Sequence, residues 1–110
     1  MAQNLSRLEL LALVALARLG DDGYGVTVQQ EIATVTGREV SMAAIYAALD
    51  RLERGGLVRP WQSEPRPERG GRARRHFALT AAARAALRTE RAIMTRMWQG
   101  VTLPDEGRRR

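Results

Sequence analysis

Ser41-Met42-Ala43-Ala44-Ile45-Tyr46-Ala47-Ala48-Leu49-Asp50-Arg51-Leu52-Glu53-Arg54-Gly55-Gly56-Leu57-Val58 is the stretch whose reading decides the architecture of this chain. Ser41 can accept a hydrogen bond from a free amide of the following turn, so it opens a helix from about Met42 to Arg54. Ile45, Leu49 and Leu52 recur at helical spacing and make its inward stripe. Ala43, Ala47, Asp50, Arg51 and Arg54 point the other way, with Tyr46 on the flank. Ala43, Ala44, Ala47 and Ala48 make the outward side unusually small. Gly55-Gly56 stops the helix.

Upstream, the spacing predicts two more helices. Ser6-Arg7-Leu8-Glu9 is a capping box, and the helix it starts runs from about Ser6 to Leu19. Leu5, Leu8, Leu10, Leu11, Leu13, Val14, Leu16 and Leu19 leave that helix almost no polar face, so it is expected to be buried on two sides. The apolar run Leu10 to Ala17 resembles a secretion signal, but Glu9 and Arg18 flank it, and a buried first helix accounts for it. No run is long enough to cross a membrane. Gly20-Asp21-Asp22-Gly23 breaks the helix. A second helix reads from about Val26 to Thr36, with Val28, Ile32 and Val35 as its stripe and Gly37 at its end.

Downstream, Leu57 to Gln62 reads as a strand that Pro60 confines to an edge. Residues 63–71 are rich in Pro, Gly, Glu and Arg and read as a loop. Ala73 to Leu79 is a second strand, with Phe77 and Leu79 on one face. Thr80 caps a last helix from about Ala81 to Gly100. Leu87, Met94 and Val101 are seven apart, and Ala83, Glu90 and Met97 fill the alternate positions of a short heptad-like seam, imperfect at Glu90. The order helix, helix, helix, hairpin, helix is the winged helix-turn-helix plan. The expected fold class is mainly α with a small β-hairpin. The expected domains are a winged helix-turn-helix over 1–79, a dimerisation helix over 80–101 and a basic tail over 102–110.

Charge supports that plan. The chain has 110 residues and a net charge of +6, and all 18 basic residues are Arg. Residues 1–50 carry three Arg against six acids, net −3, whereas residues 51–110 carry fifteen Arg against six, net +9. An absence of Lys follows simply from a GC-rich genome, but the asymmetry along the chain points to a polyanion. The third helix is then the reading helix. Small outward residues let its backbone approach a major-groove floor, although an Ala-rich helix is also just a good helix former. Ser41, Met42, Ala43, Tyr46, Ala47 and Arg51 are the candidate DNA contacts there. Arg66, Arg69, Arg72, Arg74 and Arg75 are the candidates on the hairpin, whose alternative role is a solvated, charged loop.

Three blocks make this chain similar to the PadR-like transcriptional regulators: Gly23-Tyr24-Gly25, the quoted stretch from Ser41 to Glu53 followed by Gly56-Leu57-Val58, and Arg74-Arg75-His76-Phe77-Ala78-Leu79-Thr80. The likeness covers about residues 5 to 90. Ala47 stands where Pro is usual, and His76-Phe77 where an aromatic pair is usual. The resemblance implies a homodimer on a palindromic operator, repression relieved by a ligand or signal, a phosphate contact for Tyr46 and wing positions for Arg74 and Arg75. It also implies the short form of the family, in which one C-terminal helix dimerises.

Leu8, Leu11, Leu87, Met94, Met97 and Val101 are the expected dimer residues. Trp98, with Met94 and Met97, is a candidate site for a small planar aromatic effector, with plain dimer packing as the alternative. His76 is the only histidine and there is no cysteine. Neither a metal site, a paired-carboxylate spacing nor a phosphate-binding glycine loop is present, so no cofactor and no enzymatic activity are expected. The lack of cysteine suits a cytoplasmic location. A winged-helix module that binds a protein instead of DNA is the alternative function.

Overall fold

The computed structural model describes residues 4–62 and 74–105. Helix α1 spans Arg7–Leu19 and starts on the expected capping box. The Ser6 hydroxyl accepts from the Glu9 amide at 3.1 Å, and the Glu9 carboxylate accepts from the Ser6 amide at 2.8 Å. A single 3-10 turn, Gly20–Asp22, leads to α2, Gly25–Thr36. Gly37 ends α2 at φ +76°, a left-handed conformation that an L side chain rarely adopts, and its amide donates to the Ala33 carbonyl at 2.9 Å. Ser41 then caps α3, Met42–Arg54, accepting from the Ala44 amide at 3.1 Å.

Strands β1 (Val58–Gln62) and β2 (Arg75–Leu79) pair antiparallel, with Val58 opposite Leu79, Trp61 opposite His76 and Gln62 opposite Arg75. Pro60 has no amide hydrogen to give, which a two-stranded ribbon tolerates. The hairpin is stitched to the helices at the chain entering α2. The Phe77 amide donates to the Gly23 carbonyl at 2.9 Å, and Tyr24 forms an isolated bridge to His76. Thr80 works at both ends of its connection. Its hydroxyl accepts from the Ala83 amide at 3.2 Å to cap α4, Ala81–Trp98, and donates to the Gly56 carbonyl at 2.8 Å.

The elements follow the expected order, and one core joins them. Leu13 and Leu16 from α1, Val28 and Ile32 from α2, Ile45, Leu49 and Leu52 from α3, Phe77 from β2 and Ala83 from α4 are all buried together. Helix α1 passes between the others and packs on α2, α3, β2 and α4. Three details differ from the sequence reading. Val35 is 52% exposed, because the last turn of α2 runs past the packed core. Ala48 is fully buried, since it shares the inward face with Ile45, Leu49 and Leu52, so the small outward surface consists of Ala43 and Ala47. Val101 is not on α4: the helix ends at Trp98, Gln99 is extended, and Gly100 turns the chain at φ +74°. The first turns of α4 are part of the core through Ala83 and Leu87, so packing does not divide at residue 80.

Among the described residues, the one buried carboxylate is Glu9, 8% exposed. Besides closing the capping box, it accepts from Arg51 Nε on α3 at 2.6 Å. The hydrogen bond from Arg51 and that from the Ser6 amide hold its carboxyl below the ordinary range, outweighing the opposite effect of burial. A carboxyl lowered in the folded state contributes stability above its unfolded value of about 4.3, and that contribution is lost as pH falls through the lower folded value. The melting temperature of the wild type should therefore fall on acidification through and below about pH 4, and Glu9→Gln should show a shallower acid limb while starting lower at neutral pH. Parallel acid limbs in thermal melts would show that Glu9 gains nothing from its partners.

Candidate nucleic-acid interface

Helix α3 presents its N-terminal end and one long side to solvent. Ser41, Ala43, Tyr46 and Ala47 are exposed along it. Met42, expected at the same end, turns partly inward and packs on the core. Tyr46 is 52% exposed yet firmly seated. A Cβ added at Gly25 would lie 2.6 Å from its ring and hydroxyl, so the phenol lies directly over the first residue of α2. That contact requires glycine at 25. It also brings the Tyr46 hydroxyl to the end of α2 where backbone amides are free and the helix dipole is positive, a combination that can hold a phosphate.

Arg51 and Arg54 leave that surface less basic than the sequence suggests. Arg51 was expected among the outward residues, but its Nε is directed to Glu9 on α1. Arg54 pairs with Asp50 one turn earlier at 2.9 Å, so the charges cancel locally.

The wing is held at its base by a stack of side chains. Arg74 donates to the Tyr24 hydroxyl, and its guanidinium carbon lies 4.7 Å from the ring centroid. Tyr24 meets His76 edge-on at 5.2 Å, and His76 stacks on Trp61 at 4.3 Å between centroids. The order Arg74, Tyr24, His76, Trp61 thus clamps both strands to the start of α2. His76, 6% exposed, is the buried centre of this clamp, and its Nδ1 has no hydrogen-bond partner among the described residues. Arg75 lies on the other face, where it pairs with Glu53 of α3 at 2.8 Å and covers the Phe77 ring. Both arginines expected at phosphates therefore hold the wing in place. Arg66, Arg69 and Arg72 lie outside the described residues. The clamp was not foreseen from sequence, although the position of Trp61 opposite His76 in a hairpin is a signal that could have found half of it.

The expected dimer residues separate into two groups. Leu8, Leu11 and Leu87 are half-buried against the core, whereas Met94, Met97 and Val101 are exposed, Met97 by 69%, as is the effector candidate Trp98. From residue 91 to the end of α4 every side chain is exposed. Among the described residues no three His, Cys, Asp or Glu come together as a metal site, and no helix is long and apolar enough to cross a membrane.

The sequence model of the "Transcriptional regulator PadR-like family" matches residues 10–89 of this chain. Among solved structures, a PadR family transcription regulator from Clostridium difficile is 18% identical, with a TM-score of 0.70 over 86% of this chain and 96% of its own. RosR from H. salinarum is 22% identical, with a TM-score of 0.69 over 93% of this chain and 84% of its own. The protein smu.1704 from Streptococcus mutans is 24% identical, with a TM-score of 0.66 over 100% of this chain and 98% of its own. At such identities the likeness is one of fold. No curated protein matches the chain.

The seating of Tyr46 can be tested without any ligand. Gly25→Ala should cost about 1–3 kcal/mol in denaturant unfolding, the usual cost of overpacking. In a Tyr46→Ala background the same change should cost much less, because the ring it strikes is gone. Equal costs in both backgrounds would mean that Tyr46 does not rest on Gly25.

Proposed function

This chain belongs to the PadR-like family of transcriptional regulators, and from that premise we propose that it is a repressor that binds a palindromic operator as a homodimer and leaves it when a ligand or signal arrives. The observation that carries the reading is the exposed side of α3, where Ala43 and Ala47 form a smooth strip and Tyr46 stands braced over the start of α2. The strip fits against base edges in a major groove, with Ser41 and Ala43 leading. Tyr46 and the first amides of α2 take an adjacent phosphate. Arg66, Arg69 and Arg72, which fall between β1 and β2 in the sequence, supply further phosphate contacts in this reading, while Arg74 and Arg75 hold the base of the hairpin.

A second copy covers the exposed half of α4. Ile93, Met94, Met97 and Trp98 are large, apolar and exposed, and a single small domain gains much from burying such a surface. Two copies related by a twofold axis would present their α3 helices to half-sites about 34 Å apart. The same side chains suit a planar aromatic effector wedged between the two helices, since Met is adaptable and Trp offers a flat face. As a DNA-binding protein the dimer would work in the cytoplasm.

Sedimentation should give a dimer at micromolar protein, and Met94→Glu should yield monomer and weaken operator binding together. Duplex affinity should fall by several decades over a fewfold rise in salt, for about 6–10 phosphate contacts. Arg66→Ala, Arg69→Ala and Arg72→Ala combined should flatten that dependence. A protein retained on duplex DNA without salt dependence, or not retained at all, would favour a protein-binding winged helix. In a Trp61→Phe background, Trp98 emission should respond to planar aromatic compounds and Trp98→Ala should abolish their binding. Silence of Trp98, with dissociation of the Trp98→Ala dimer, would leave Trp98 as a packing residue.

A further inference from the structure

Glu9 divides its two oxygens between two helices. Oε1 accepts from the Ser6 amide at 2.8 Å and closes the start of α1; Oε2 accepts from Arg51 Nε at 2.6 Å and holds the C-terminal half of α3. A carboxylate taken out of water is expensive, and an apolar side chain would fill the same place without that cost. What the apolar contacts between α1 and α3 do not supply is direction. Leu13, Leu49 and their neighbours resist separation of the helices, but burial is non-directional and holds rotation or sliding of one cylinder on the other only through shape. A charge-assisted hydrogen bond from a planar guanidinium restricts both.

Arg51 stands one helical turn after Ala47, on nearly the same side of α3 as the Ala43–Ala47 strip. Any rotation of α3 that moves the strip must also pull Arg51 away from Glu9. We propose that Glu9 is a positioning residue: through Arg51 it sets the rotation and axial placement of α3 relative to α1. This rests on the DNA-binding reading above, in which α3 reads the groove and a second copy covers α4, the helix that packs on α1. Glu9 then fixes how the reading surfaces of the two copies stand relative to each other, and its effect falls on sequence discrimination. Arg51 touches no phosphate in this arrangement.

The test compares Glu9→Gln, Arg51→Met, Arg51→Lys and the Glu9→Gln/Arg51→Met double variant at a temperature where thermal melts show each folded. Affinity is measured for a duplex selected by the wild type from a random library and for an unrelated duplex. Glu9→Gln and Arg51→Met should each weaken the selected duplex by about tenfold and change the unrelated one by less than about twofold. The double variant should lose no more than either single change, and Arg51→Lys should recover most of the loss. If Glu9→Gln does not fold, the two Arg51 variants carry the comparison. Higher affinity of Glu9→Gln for both duplexes, with Arg51→Met weaker on both and less salt-dependent, would overturn the proposal and make Arg51 a phosphate contact. Unchanged discrimination in all variants would overturn it too. Should the wild type bind no duplex, the DNA reading fails by itself, and positioning is read from structure alone. Spin labels at Arg7→Cys and Ala47→Cys, unique because the chain has no cysteine, are diluted with unlabelled protein. A distance distribution that shifts or broadens in Arg51→Met supports the positioning role, and an unchanged one overturns it.

Discussion

Helix α1 is apolar nearly all round, and the rest of the structure is the way this sequence covers it. Thirteen residues, Arg7–Leu19, contain a single buried charge, so α2, α3, β2 and α4 each take a side of the helix. Ala12 and Ala15 are small enough for neighbours to come close, and Leu13 and Leu16 fill the space between them. Arg7, Val14, Ala17 and Arg18 stay exposed, so the helix is covered on its other sides. Its orientation then dictates where the first residue of α2, the exposed face of α3 and the base of the hairpin must lie. Only toward the second half of α4 does the covering stop.

Charge in this protein is a poor map of contact with a partner. The second half of the chain is strongly basic, yet several of its arginines are occupied at home. Arg51 serves Glu9, Arg54 serves Asp50, Arg75 serves Glu53, and Arg74 lies on Tyr24. The pairs at Asp50 and Glu53 are exposed and add little stability individually, unlike the pair at the buried Glu9. Their effect is geometric: Arg74 and Arg75 lie on opposite faces of the hairpin and oppose its swing in either direction. His76 supports them as the buried middle of an aromatic stack. The wing is therefore a braced element before any ligand arrives, which lowers the ordering cost of binding.

Helix α4 belongs to two environments. Ala83 is buried and Leu87 packs on the shared core, whereas Ile93, Met94, Met97 and Trp98 are exposed. The division of the chain at the start of this helix, natural when the sequence is read as separate segments, does not correspond to a change in packing. The change comes halfway along α4: Ala83 and Leu87 are covered by the core, and from residue 91 onward every side chain of the helix is exposed.

What the sequence determined by itself is local. Ser6, Ser41 and Thr80 announce helix starts because a hydroxyl reaches only the next turn, Gly37 ends α2 because only glycine takes its φ easily, and the inward stripes follow from the period of the helix. These signals need no knowledge of the rest of the chain, and from them the order of elements and the winged plan were legible. The tertiary structure decided which residues meet across sequence. Arg51 turns to Glu9, 42 residues away, and not to solvent. Tyr46 depends on the missing side chain of Gly25, and His76 finds Tyr24 behind it. Ala48 is buried and Val35 is not, although the same periodicity rule applied to both. Periodicity states which way a side chain points from its own helix axis, and only the packed neighbours state whether anything is there to meet it.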